Sequence, residues 1–226
     1  MRRTLLALAF ALAVSGVQAN DDGGGDISRV NGGITAEAGQ RYGDLETVNG
    51  GISVGQGASA GNVETVNGGI TLDDDAQVNS AETVNGGVHA GERVKVARSA
   101  ETVNGGIRFG FNSRIGGDVA TVNGGITVKQ TEVGGQVRTV GGDITVGAHS
   151  VVRGGILVER PSRMGFFNVS KKRIPRIVIG PNAVVDGSLR FEREVELFVH
   201  PSARIGTVTG ATARPYTDTL PPRRSN

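Results

Sequence analysis

The 226-residue chain has no cysteine and no tryptophan, and only nine phenylalanines and tyrosines together. Without cysteine there is no disulfide, no thiol nucleophile and no sulfur to carry a lipid anchor. So few large rings exclude a broad aromatic core and leave a narrow one filled by Val, Ile and Ala. Beyond residue 19 no apolar run approaches the roughly 20 residues that a membrane-spanning helix requires. No window sustains a 3.6-residue apolar period, so helices are not expected either.

What the chain does have is 37 glycines and a repeated phrase. "TVNGG" occurs at 47–51, 65–69, 83–87, 102–106 and 121–125, with "RVNGG" at 29–33. Aligned on the valine, the series runs Val30, Val48, Val66, Val84, Val103, Val122, Val140 and Val158, in steps of 18 or 19 residues. Apolar residues recur four, six and twelve positions after each valine, as in Ile52, Val54 and Ala60. Such spacing divides each unit into three short sides and predicts a repeat fold whose units bury their faces only against neighbours. The expected fold is all-β: a single three-sided β-helix, or β-solenoid, of about 18 residues per coil. Asn-Gly and Gly-Gly are read as corners using positive φ. Stacking at about 4.8 Å would align Asn31, Asn49, Asn67, Asn85, Asn104 and Asn123 into a hydrogen-bonded amide ladder. Thr47 and its equivalents would form a second polar file beside it.

The ends read differently. Met1-Arg2-Arg3, an apolar stretch at 5–14 and the exit Val17-Gln18-Ala19 read as a secretory signal peptide over 1–19, which places the chain in the periplasm or beyond it. Residues 20–26 read as a flexible linker, 27–206 as the solenoid and 207–226 as a disordered tail. Residues 160–176, "RPSRMGFFNVSKKRIPR", break the period and read as a projecting loop. Its Arg163, Phe166, Phe167, Lys171, Lys172 and Arg173 are the candidate interaction residues. The charge-dense stretch at 190–199 reads as a blunted terminal edge.

The V-x-G-x-I units, with turns worded like "IGPNAVVDGSL", resemble the bacterial polymer-forming proteins called bactofilins. They are also similar to small-residue β-solenoids of bacterial envelopes classed as adhesins. The resemblance covers 27–206 and implies a three-sided β-helix, no cofactor and a structural or self-associating role. Bactofilins are cytosolic, whereas this chain carries an export signal. The hexad rhythm also resembles the left-handed β-helix of hexapeptide-repeat acyltransferases. Spacing does not separate the two hands, and the bactofilin-like wording favours the right-handed one.

Chemistry is thinly provided. His89, His149 and His200 lack a visible orienting partner or pocket, and an acyltransferase would need an activated donor outside the cytoplasm. Glu46, Glu64, Glu82 and Glu101 stack at equivalent places and are expected to splay into solvent. Asp73-Asp74-Asp75 reads as a polar turn, without the wording of calcium-binding solenoids. No catalytic, cofactor or metal site is assigned.

Charge is more informative. Residues 20–150 hold nine Lys and Arg against sixteen Asp and Glu, a net of −7; residues 151–226 hold thirteen against six, a net of +7. One end of the stack is acidic and the other basic. A non-catalytic structural or interaction protein of the envelope, partnered by itself or another envelope component, is the first reading. Binding of an anionic polysaccharide or lipopolysaccharide is the second, and a polysaccharide-cleaving β-helix the third, marked by a cleft with carboxylates or histidines near the loop. Nucleic acid is not expected, because the basic segment offers few aromatics for stacking.

Overall fold

A computed structural model describes residues 24–161 and 173–217. These residues form an all-β solenoid without helices, in parallel sheets. A ten-stranded sheet takes one strand from each coil, from Ile34–Ala36 through Ile70–Leu72 and Ile126–Val128 to Ala213–Pro215. We call it the third face. The other sheet supplies the first two faces of each coil. On the second lie strands such as Leu45–Asn49, Ala100–Asn104, Val137–Thr139 and Leu189–Phe191; on the first lie two-residue strands such as Lys95–Val96 and Val151–Val152. Ser59–Asn67 and Gln77–Thr83 run across both faces and join them. Successive coils pair 18 or 19 residues apart up to Ile144.

Side chains alternate across the short strands, so most of those between the end coils send one or two residues inward. Ile52 and Val54 are buried around the outward Ser53, and Ile126 and Val128 around Thr127. Among the described residues, Phe109 and Phe191 are the only phenylalanines in the axial core, whose other apolar residues are aliphatic.

Three details correct the expectations. First, the aligned valines from Val30 to Val140 face outward: Val30 is 46% exposed, and Val48, Val66 and Val84 are half-buried, whereas Val158 stacks on Thr139 and is fully buried. In "LETVN" the inward residues are Leu45 and Thr47, with the pattern repeated at Val63 and Thr65. Threonine is accepted inside because its hydroxyl finds a carbonyl. Thr47, Thr65, Thr83, Thr102 and Thr121 donate to Gly32, Gly50, Gly68, Gly86 and Gly105 of the preceding coil at 2.7–3.0 Å.

Second, positive φ does not explain the NGG corner. Of its first glycines only Gly32 has positive φ, at 101°. Gly50, Gly68, Gly86, Gly105 and Gly124 are needed because a Cβ on each would collide with the carbonyl oxygen of the glycine one coil below. Left-handed backbone lies instead at the corner after the third face. There Gly39 and Gly57 give way to Asp75, Arg93, Asn112, Gln130, His149 and Asn182, with φ between 46° and 63°.

Third, the solenoid does not stop at Gly206. Val208–Thr209 pairs with the strand at Leu189–Phe191, and Ala213–Pro215 with Glu196–Val199. The stretch at 190–199 is therefore not terminal, and it contributes to two faces rather than one strand. Tyr216 packs over Val178 and Phe198 and donates to the Ile179 carbonyl at 3.2 Å, closing a small apolar cluster outside the axial core. The signal-peptide reading of 1–19 and most of the projecting loop fall outside the described residues.

These two kinds of glycine predict different costs. Gly68→Ala is expected to cost at least about 2 kcal/mol, as overpacking against fixed backbone does, and Gly68→Val more. Gly39→Ala, which has open space but φ of 71°, is expected to cost only about 1 kcal/mol. Thermal melts followed by circular dichroism check this order; equal melting of the Gly68→Ala and Gly39→Ala variants would contradict it.

Candidate functional site

The second face gathers most of the sequence-singled residues. Along its corner, Asn49, Asn67, Asn85, Asn104 and Asn123 each donate from Nδ2 to Oδ1 of the asparagine one coil earlier, beginning at Asn31, at 2.9–3.1 Å. Gly141 follows Val140 where the next asparagine would stand. These amides are mostly exposed and serve as a register device.

Two more outward files lie beside it. The valine file is one. The other is set by strand pairing and runs Ser28, Glu46, Glu64, Glu82 and Glu101, then Ala120, then Arg138, Leu157 and Arg190. The carboxylates do not splay into water as expected. They stand half-buried between the valines and the neighbouring coils, because a five-residue strand gives a side chain little room to leave the file. Burial pushes the Glu64, Glu82 and Glu101 carboxyls above the ordinary glutamate range. Glu46 and Asp44 add to this at Glu64, and Glu64 and Glu101 at Glu82, where Arg98 opposes them. At Glu101 the nearby Arg138 pulls down and Asp118 pushes up.

Arg138 closes the acidic block. Its guanidinium lies over the gap left by Ala120 and reaches Asp118 at 3.4 Å and Glu101 at 4.0 Å, leaving only 16% of the side chain exposed. Its Nε is buried without a partner.

The third face carries a shallow groove of about 420 Å³ lined by Gln56, Thr71, Asp73, Asp74, His89 and Gly91. It lies on the acidic coils, away from the feet of the loop. His89 Nε2 lies 3.0 Å from Arg108 Nη1. Asp74 is committed to structure: its Oδ1 accepts the Glu92 backbone N–H at 2.8 Å. Asp75 pairs with Arg93 at 2.8 Å. The groove thus offers an amide, a hydroxyl, a carboxylate and an imidazole, a set suited to hydrogen-bonding a polar ligand.

His149 sits at the left-handed corner with φ of 58°. His200 Nδ1 lies 2.8 Å from Ser202 Oγ, and its ring meets Tyr216 edge-on at 5.5 Å. The three histidines are on separate parts of the stack. Among the described residues, no group of three or more His, Asp and Glu is placed to hold a metal ion. No helix there is long and apolar enough to cross a membrane.

Of the loop candidates, Arg173 is placed, bonding to Asp143 at 2.6 Å. Arg163, Phe166, Phe167, Lys171 and Lys172 lie outside the described residues. Sequence reading missed a set of aspartate brackets. Asp26, Asp44, Asp118 and Asp143 each accept the backbone N–H of Asp44, Asn62, Gln136 and Arg176 from the following coil, at 2.6–2.8 Å. The recurring "GD" before Leu45, Val119 and Ile144 was the available signal.

Comparison with protein-family models, with curated proteins and with solved structures finds no match to this chain.

The carboxylate file makes stability depend on pH. A carboxyl whose folded pKa lies above its unfolded value favours the fold when protonated, and that benefit is lost as pH rises from about 4.5 through the raised value. Glu82→Gln is therefore expected to stabilise the chain at pH 7, by less than about 1 kcal/mol after solvent screening, and to change nothing near pH 4. Denaturant melts at the two pH values measure it; a destabilised variant at pH 7 would contradict the arrangement.

Proposed function

We propose that this chain is a non-catalytic structural or interaction protein of the bacterial cell envelope, exported by residues 1–19, that works by associating with copies of itself or with another envelope component in a bactofilin-like or adhesin-like manner. The observation that carries the proposal is the open first coil. Ile27–Asn31 and Ile34–Ala36 are hydrogen-bonded on one side only, to the second coil, and no other described element covers their free edge. An uncovered strand edge is a template for pairing with another chain. The opposite end is blunter: its last strand includes Pro215, which lacks an N–H, beside Arg214. The net charges of −7 and +7 on the two parts of the chain favour contact between unlike ends.

Light scattering on the purified chain, from about 20 mM salt to beyond 0.15 M, where the screening length is about 8 Å, tests this. Association that weakens with salt and falls in a Val30→Pro variant is expected. A strictly monomeric chain at high concentration and low salt would reject it.

The groove beside His89 favours a second reading, binding of an envelope saccharide. Calorimetric titration with polysaccharide fragments should then give heat that His89→Ala abolishes, with no shortening of the glycan.

A further inference from the structure

Resting on the self-association reading, we propose that the second face is a self-complementary docking surface, on which two copies of the chain lie antiparallel about a two-fold axis at the sixth coil. The observation is the order of charge along one file. Counting the coil of Ser28 as the first, acidic residues occupy coils two to five, Ala120 is the sixth, and Arg138 and Arg190 occupy the seventh and ninth.

A parallel pair would set Glu against Glu. An axis lying in the interface and perpendicular to the stack reverses the order of coils but keeps each file opposite its own copy. Glu101 then meets the second copy's Arg138, and Glu64 meets Arg190. By symmetry each contact occurs twice, as in any isologous interface. The valine file behaves likewise. Val122 meets Val122 on the axis, and Val103 meets Val140. At coils eight and nine that file continues as Glu159 and Glu192, which face Val84 and Val66 of the second copy, so matched apolar contact is confined to coils five to seven.

Two further observations favour a second copy over another partner. Glu64 makes no ion pair among the described residues; its charged neighbours include Glu46, Glu82 and Asp44. Among the described residues Arg190 pairs only with Glu192 of its own coil. Each therefore has capacity left for an opposite charge. The face is also close to the right size: a width of five residues spans about 17 Å, and the nine coils that overlap about the sixth span about 43 Å, giving about 700 Å² per copy. That approaches the area each partner contributes to a stable, specific interface.

The chain has no cysteine, so single cysteines report position directly. Facing sheets lie about 10 Å apart, whereas a residue four coils from the axis lies about 40 Å from its own copy. A thiol cross-linker of about 10 Å reach should join Val122→Cys chains and leave Val48→Cys chains single. Sedimentation provides the second arm. Glu64→Arg and Arg190→Glu should each weaken dimerisation at least about tenfold, and the double variant should regain most of it. Glu64→Arg also relieves repulsion within its own file, so folding should survive and circular dichroism checks that. Equal cross-linking at both positions, or a double variant no better than the singles, overturns the docking surface. Salt-sensitive oligomers that ignore both charge reversals would overturn it while leaving end-on self-association standing. A chain that stays monomeric throughout removes both.

Discussion

At the corner between the second and third faces, the backbones of the first seven coils rest so close to one another that there is no room for a methyl group. Everything else in the stack is arranged around that contact. The carbonyls exposed by stacking glycine on glycine need donors, and Thr47 and its successors supply them from inside the coil. The threonine must therefore point inward, which turns the neighbouring valine and glutamate outward. The asparagine just before the glycines then stands directly above its counterpart and bonds to it. Backbone proximity fixes register, register fixes which side chains form files, and the files give the surface its character.

Much of this was legible in the sequence, with one systematic blind spot. The period, the coil length and the asparagine ladder follow from spacing alone. Parity does not. In a five-residue strand such as "LETVN", leucine and valine sit on opposite faces, so apolar character cannot say which one is inside. Threonine, read as a polar file beside the asparagines, is inside because a hydroxyl plus a methyl satisfies a carbonyl and a core together. Glycine misled for a related reason. Both its uses, unusual φ and close approach, look the same in a sequence, and here the repeated glycines serve the second while ordinary side chains bear the first. The continuation through Ala213–Pro215 was hidden by a loss of the repeat wording, although pairing with Glu196–Val199 persists.

The same logic explains why charge matters more here than its net value of +2 suggests. In a compact domain, four glutamates spread over half the sequence would face different directions. In a stack with fixed register they form one line, half-shielded from water and backed by one another. Arg138, laid across the Ala120 gap, ends that line and separates the acidic coils from the basic ones. The functional proposals rest on that geometry: an open edge at the first coil and a face whose charge changes sign along its length.

The ladder also shows where the protein can change at little cost. Ile144 pairs with Ile177 and Val152 with Val185, each 33 residues on, yet both pairs keep the register of the 18-residue coils around them. The stack does not count the residues between Pro161 and Arg173. A point mutation at a stacked glycine must be resolved against its neighbours above and below, whereas lengthening, shortening or rewriting this stretch asks nothing of them.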